Sequence, residues 1–576
     1  MGVINMRLLN KQLLKDVFKN RMFVILLFLL IILTSFMYFY VHFSIDANME
    51  VLSKIDQLSK NQNDYLNALQ SNTILARNFL LILGALTSFV FGMFFYRIYK
   101  SYKKDIGCLR ALGYKAKNIR SFFTVFTFIL SIIGTILGVI AGYFGSNVLI
   151  KANMQTYLVS DLKRGISIDS LLVGTIVISV IFSIVAFISY YQIKRTELAF
   201  LIHDYEVKVG ESKLLQFANF CVKALPVKNK FAIRIGIRRP VSLLLIFTSV
   251  MGFMVMSILG ISLNWSSGKI YDSQLQGRSY KYDTKFNTEL TKENTNSEVM
   301  YYLEKDTEIT SDDNIIKQKL IGVEGASSLF ELEDSNGDRI EAIDKNTVYI
   351  NPGLEEIYGI KEGSKVELTV NNKKIMFNVA GIAVNAELNG IYVSMSELTE
   401  LMGLPSDSFN GVLSNEIIYN NGNLTTMEQR KEVLKRNSVS SNASGVTNQI
   451  IGWVVGCILI YLALLLNFQD STKDMIILKI IGYKNKAIRK MLVDIYKPLI
   501  FVSFIIALYP SIRIAMNVQK VFSIQTGDYI PFQTNIIIIL GILMFLYAIY
   551  YLVQFSFSIK IKGIFKKDAV KSFTNV

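Results

Sequence analysis

Two stretches of this chain carry the same side chains in the same order. One opens at Lys104-Asp105, reaches Gly113-Tyr114-Lys115 and runs on to Arg120; the other opens at Lys473-Asp474, reaches Gly482-Tyr483-Lys484 and runs on to Arg489. Nine of the 17 aligned positions are identical, at a constant offset of 369 residues. The chemistry open to such residues is recognition. Apolar positions recur at helical spacing (Ile106, Leu109 and Leu112; Met475, Leu478 and Ile481), each glycine suits the residue that ends a helix, and the lysines that follow suit anionic headgroups. Lipid asks only for composition. Identity at Lys104/Lys473, Asp105/Asp474, Gly113/Gly482 and Tyr114/Tyr483 instead points to a shaped partner offering two equivalent grooves.

Other chemistry finds little support. There is no G-x-x-x-x-G-K-[ST] loop: Gly107 and Gly113 flank a helical stretch and lack the Lys-Ser/Thr that would hold phosphate and Mg²⁺. No G-x-S-x-G elbow or H-E-x-x-H pair occurs. Asp312-Asp313 and Glu355-Glu356 are adjacent carboxylates, and neighbours on one element point apart, so they read as solvated surface. His42 and His203 are too far apart in sequence for a zinc pattern. Cys108, Cys221 and Cys457 build no disulfide framework. The chain is expected to be no enzyme by itself and to carry no catalytic residue, cofactor or metal.

The elements that hold the two stretches are membrane spans. Of 576 residues, 51% are hydrophobic, mean hydropathy is +0.37 and only seven are proline, too apolar for a soluble protein of this size. About 20 apolar residues at 1.5 Å each cross a hydrocarbon core of roughly 30 Å. Eight such runs lie near 22–43, 78–96, 122–148, 170–193, 241–263, 450–468, 496–516 and 535–557. The first is too long for a signal-peptide core and reads as a retained anchor. Alternate connecting segments hold 5, 8, 10, 6 and 5 Lys/Arg, the others 3, 3 and 1, so both termini are expected on the cytoplasmic side. The net charge of +16 is thereby explained by topology, without nucleic acid. No acidic residue sits in the middle of a span. Asp494, Lys497 and Arg513 lie toward span edges, and Pro510 is expected to break or kink the seventh span.

Two segments then face outward, a short one at 44–77 and a large one at 264–448. The large segment holds 18 Lys/Arg against 28 Asp/Glu and has a soluble composition. Alternation at Val366, Leu368 and Val370, then at Ile375, Phe377 and Val379, around Asn371-Asn372-Lys373-Lys374 predicts a β-hairpin. Pro352 to Tyr358 suits a short helix closed by Gly359, Ile391 to Val393 a strand, and Ser396 the N-cap of a helix through Met402. The short segment keeps helical spacing and would prolong the first span. Met427 to Arg436 reads as a charged helix leading into the sixth.

The expected fold class is an α-helical polytopic membrane protein: eight transmembrane helices in two four-helix repeats, with an α+β extracytoplasmic domain between helices 5 and 6. Its parts are an amphipathic lead helix (1–21), a first unit (22–193, outer segment 44–77), a linker with a second lead helix (194–240), a second unit (241–557, outer domain 264–448) and a cytoplasmic tail (558–576).

In this order of lead helix, span, outer segment, span, K-D-x-x-x-L-[RK]-x-[IL]-G-Y-K, span, span, with VYINPGLEEIYGIKEGSKVELTV and then FNVAGI in the outer domain, the chain resembles the FtsX-like permeases of MacB-type ABC transporters. The resemblance implies that 104–113 and 473–482 are coupling helices that dock on an ATP-binding cassette ATPase subunit, itself a dimer. The docking residues would be Lys104, Asp105, Leu109, Leu112, Gly113, Tyr114, Lys473, Asp474, Leu478, Ile481, Gly482 and Tyr483, with Leu109/Leu478 and Leu112/Ile481 as apolar contacts. It further implies mechanotransmission in a bacterial cell membrane, for export or release of a peptide, antimicrobial or lipid-like compound. The alternatives are a non-transporting regulator, sensing an antimicrobial peptide or controlling a cell-wall hydrolase, and an ATP-independent channel or carrier. Membrane lipids are expected neighbours. The first outer segment departs from the family pattern in being only a stub.

Overall fold

A computed structural model of the chain describes residues 6–19, 21–101, 103–191, 240–292, 298–311, 314–371, 373–419, 421–470, 472–484, 487–489 and 496–564. The second lead helix, His203, Cys221, Asp312, Asp313, Asp494 and most of the tail lie outside the described residues. Among those described, eight helices are long and apolar enough to cross a membrane, and each sits on one of the apolar runs of the sequence. The chain is a polytopic, mostly helical membrane protein.

An amphipathic α1 (Met6–Lys19) leads into α2 (Arg21–Leu52), α3 (Lys60–Ser101), the short α4 (Lys103–Ala111), α5 (Ala116–Tyr157) and α6 (Ile168–Ser189). The segment 44–77 is accordingly helical at both ends, with a turn only at 53–59. Packing in this half rests on small residues. Gly134, Gly138 and Gly142 line one face of α5 at four-residue spacing, and α2 lies directly against them: a Cβ on Gly142 would stand 2.8 Å from Phe39 Cβ and 2.9 Å from the Tyr40 backbone nitrogen. Lipid tails are as apolar as the side chains, so helices in a bilayer associate by such close approach.

The second half begins with α7 (Pro240–Leu275) and resumes, after a sheet domain, with α10 (Met427–Asp470), the short α11 (Thr472–Ile480), α12 (Tyr496–Thr526) and α13 (Ile536–Ile564). Here α7 and α10 are the close pair: Gly260 faces Gln449, Gly452 faces Met256, and Gly456 faces Phe253. Helix α12 runs through Pro510 without interruption, so the break expected there does not occur. Proline is tolerated in membrane helices when neighbours take up the freed carbonyl.

The sheet domain contains β1 (Tyr282–Thr291), β2 (Val299–Ser311), β3 (Asn314–Val323), β4 (Leu332–Glu333), β5 (Arg339–Ile340), β6 (Thr347–Ile350), α8 (Pro352–Tyr358), β7 (Lys365–Val370), β8 (Lys373–Ile382), β9 (Gly390–Ser394), α9 (Met395–Met402), β10 (Ser408–Ser414) and β11 (Asn423–Thr426). Strand order is β11-β1-β10-β2-β3-β9-β6-β8-β7, and β7 pairs back onto β2. Six strands therefore close into a barrel, while β10, β1 and β11 extend from the first half of β2. Alternation divides the side chains: Leu303, Leu320, Ile391 and Val393 fill the barrel with Leu398 of α9, while Tyr302, Ile321 and Tyr392 form a second apolar layer on the other side. The β7–β8 hairpin and the 352–358 helix stand where the sequence placed them, with Asn351 as the N-cap accepting from the Leu354 N–H. Ser396 is not an N-cap: α9 starts two residues earlier, after Ser394, and Glu397 turns inward to accept from the Asn346 N–H.

The glycine face gives a direct expectation. Gly142→Ala drives a methyl into backbone that cannot give way and should lower the unfolding temperature of the detergent-solubilised protein by a cost on the order of 1–3 kcal/mol. Gly84→Ala, where a Cβ meets nothing within 4 Å, should leave it unchanged. Equal melting curves for the two variants would contradict the α2–α5 contact.

Candidate functional site

The two repeated stretches take one geometry. In each, a nine-residue helix continues a long span almost without a break: α4 follows α3 and α11 follows α10. Each ends in the same pair of bonds. The Tyr114 N–H donates to the Leu109 carbonyl and the Gly113 N–H to that of Arg110, both 3.1 Å; the Tyr483 N–H donates to Leu478 and the Gly482 N–H to Lys479, both 3.0 Å. These are the 6→1 and 5→2 bonds of a Schellman ending, whose next-to-last residue must adopt positive φ. Gly113 has φ 93° and Gly482 has φ 102°. Burial also matches: Ile106 and Met475 are buried on one face, and Ile119 and Ile488 beyond the turn.

The side chains sort by what remains exposed. Leu112 and Ile481 stand out at the tips, 72% and 66% exposed. Leu109 and Leu478 are half-buried and pack against the core of the bundle, so they hold each short helix in place and offer a partner less than the sequence suggested. Asp105 is exposed and Tyr114 half-buried, whereas Tyr483 is exposed. The side chains of Lys104, Lys473 and Asp474 lie outside the described residues. Ile477 and Ile480 add to the second tip, where the first copy has Cys108 and Ala111. Helical spacing alone could not separate the two faces, because apolar residues occupy both.

From the second tip a rigid path leads to the sheet domain. Helix α10 has 44 residues, a length of ~66 Å, and begins at the residue that follows β11. Near its start Arg430 donates to Glu387 Oε1 at 3.3 Å, and Gln274 of α7 donates to the Ala386 carbonyl at 2.6 Å. The loop 383–389 so gripped is itself pinned: Asn385 donates to the carbonyls of Glu331 and Gln276 and accepts from the Glu333 N–H. Behind it lies a charged cluster walled by Tyr280, Tyr302 and Tyr392. Glu304 bridges Lys285 at 2.8 Å and Lys319 at 2.5 Å, and Asp283 accepts from the Tyr302 hydroxyl at 2.7 Å. Burial pushes the Asp283 carboxyl up, against the pull of Lys285. Burial would raise Glu387 too, but Arg430, Lys285 and Arg278 outweigh it and hold that carboxyl below its usual range.

Residues 78–198 match the family described as FtsX-like permease C-terminal. The match spans α4 with the end of α3, all of α5 and all of α6, and so contains the first short helix; the second copy lies beyond it. No curated protein matches the chain. Together with eight apolar helices, this FtsX-like permease signature supports an ABC transporter permease-type role, and FtsX-like permeases work with an ATPase partner.

At the sheet-domain end of the bundle the two halves enclose a chamber. Residues of α2, α3 and α5 form one side and residues of α7, α10 and the loop 527–535 the other, around a volume of about 380 Å³. Polar bonds seam it: Thr156 donates to the Arg436 carbonyl at 3.2 Å and accepts from the Ser440 N–H at 3.1 Å, Ser440 also donates to Asn153, and Asn78 donates to Gln525 across the opposite side. Nothing in the periodicity of the sequence announces this chamber, since serines on a helix read as ordinary polar face.

The charged joint has a pH signature. A carboxyl whose folded pKa is raised costs stability above that pKa, and the cost disappears as pH falls through it. Asp283→Asn keeps an acceptor for Tyr302 and should raise the unfolding temperature near pH 7, with the gain vanishing in mild acid. Glu387→Gln should act oppositely, because its lowered pKa contributes stability above the normal glutamate range that is lost only as pH falls below it. Hydrogen exchange of β1 and β2 in the full chain at both pH values reads this; parallel pH profiles for wild type and both variants would contradict the assignment.

Proposed function

We propose that the chain is the permease subunit of an ATP-binding cassette transporter, in which α4 and α11 are coupling helices that dock on a cytoplasmic ATPase dimer and the sheet domain stands outside the bacterial cell membrane. The observation that carries this reading is the continuity of α10 from the end of β11 to Asp470, with a single residue between it and α11. An α-helix is stiff along its axis, so a displacement imposed at the tip reappears at the Arg430–Glu387 joint. Leu112 and Ile481 supply exposed apolar anchors left uncovered among the described residues, and exposed apolar side chains with basic neighbours such as Lys115 and Lys484 fit an interface. Closure of the ATPase dimer would draw the two tips together and move the sheet domain for export or release of cargo. The chamber between the halves favours this over a regulator without cargo, because a regulator needs the lever and joint alone.

The test is a combined Leu112→Asp and Ile481→Asp variant, purified from its native membranes in mild detergent beside wild type. Wild type should bring down a subunit that hydrolyses ATP. The variant should lose at least about tenfold of that activity, as expected when two apolar anchors worth more than 1.4 kcal/mol together are removed, while its unfolding temperature stays the same. ATPase activity retained in full by the folded variant overturns the docking assignment.

A further inference from the structure

The chamber between the halves is chemically lopsided. One wall is aliphatic, with Leu75, Leu149, Leu263 and Ile270, and another is a shelf of serine hydroxyls and asparagine amides. Among the described residues no lysine or arginine lines it, and the one carboxylate among them is Asp528, flanked by Tyr529 and facing the same space as Tyr157. Asp528 stands at the surface of the chamber and makes no ion pair among the described residues; the Ser71 hydroxyl is its side-chain neighbour. Asp64 lies close enough to act on Tyr157 together with Asp528, adding a second negative charge nearby. Of the basic residues at this end, Lys520 and Lys269 lie by Glu356 of α8.

We infer that this chamber binds an aliphatic amphiphile with an ammonium head, its chain against the leucine wall and its head between Asp528 and the rings of Tyr157 and Tyr529. A carboxylate with no counter-charge among the described residues gains most from a cation that also donates hydrogen bonds, and aromatic rings beside it add attraction for the same charge. An anionic headgroup would meet Asp528 with nothing to offset the repulsion. The volume of about 380 Å³ falls within the range of about 300–1,000 Å³ usual for small-molecule pockets, enough for a single alkyl chain. Surrounding atoms push the Asp528 carboxyl up, and a bound ammonium reverses that pressure.

The loop that carries Asp528 also touches the sheet domain. Gly353 of α8 faces the Tyr529 ring, with space for a Cβ only at 3.3 Å from Tyr529 Cβ, and Glu356 reaches Ser523 at the end of α12. Movement of the sheet domain therefore acts on the headgroup side of the chamber. This names the cargo chemistry of the proposed transporter, but binding itself needs no ATPase, so the two readings can fail separately.

The experiment uses the full chain in nanodiscs of zwitterionic lipid and measures retention of radiolabelled hexadecylamine against hexadecanol and hexadecyl phosphate. Wild type should retain the amine roughly tenfold or more over the alcohol, the preference expected for one charged hydrogen bond, and should not retain the phosphate above empty nanodiscs. Asp528→Asn should lose the preference and Asp528→Glu keep it. Ser267→Trp, which fills the chamber, should abolish retention of the amine with an unchanged unfolding temperature. Equal amine retention by wild type and Asp528→Asn, or preference for the phosphate, overturns the proposal.

Discussion

A backbone surrounded by hydrocarbon has no water to bond with, and this constraint shapes everything else in the molecule. Each crossing must satisfy its own N–H and C=O groups, which leaves the helix as the way through. Once a segment is helical for the bilayer, continuing it beyond the bilayer costs little, because the costly nucleus already exists. The long helices α3, α5, α7 and α10 follow from that economy, and they are what ties the two ends of the molecule together mechanically. A chain with short spans and loose connections would carry the same binding surfaces but could not transmit force between them.

The same constraint decides which contacts are tight. Inside the bundle α2 meets α5 and α7 meets α10 across glycines, which bring their backbones close together. Between the halves, the deep contact is apolar, with Leu86 against Gly252 and Leu459. Toward the sheet domain it changes to hydroxyls and amides around the chamber. The division sets apolar packing between the spans and a polar seam toward the sheet domain.

Much of this was legible in the sequence, for physical reasons that can be named. Apolar runs long enough to span a bilayer have no other stable outcome, and period-two alternation at Val366 to Val379 could bury one face only as a hairpin. Gly113 and Gly482 predicted helix ends because positive φ favours glycine. Neighbours were harder. Leu109 and Leu112 are equivalent as letters, yet one packs on the bundle and the other is exposed, since three residues of helical rotation decide it and the surrounding helices set the reference. Ser396 had the right chemistry for a cap, but Ser394 lies where β9 ends. Asp528, Glu387 and Arg430 gave no signal, because a lone charge in a polar stretch acquires meaning only from what the fold brings beside it. His42 is a related case: apparently incidental in sequence, it bonds Asp46 at 2.9 Å and Ser170 at 3.1 Å, tying the end of α2 to the start of α6.

The seam around the chamber is built from bonds suited to repeated opening. Hydrogen bonds between neutral groups contribute about 0.5–1.5 kcal/mol each, because water replaces the partner when they break. The few that join Thr156, Ser440 and Asn153 on one side and Asn78 and Gln525 on the other can therefore part at a cost of a few kcal/mol. An apolar seam of the same extent would expose hydrocarbon surface at roughly 25 cal/mol per Å² and would resist opening in proportion to its area. The joint at Arg430 and Glu387 is the reverse: its charges are largely enclosed, and separating them would strand each in a poor solvent. In the proposed mechanism, a force along α10 would meet a strong connection to the sheet domain and a weak one between the halves. On that proposal the halves would give way first, and the chamber is what their parting would open.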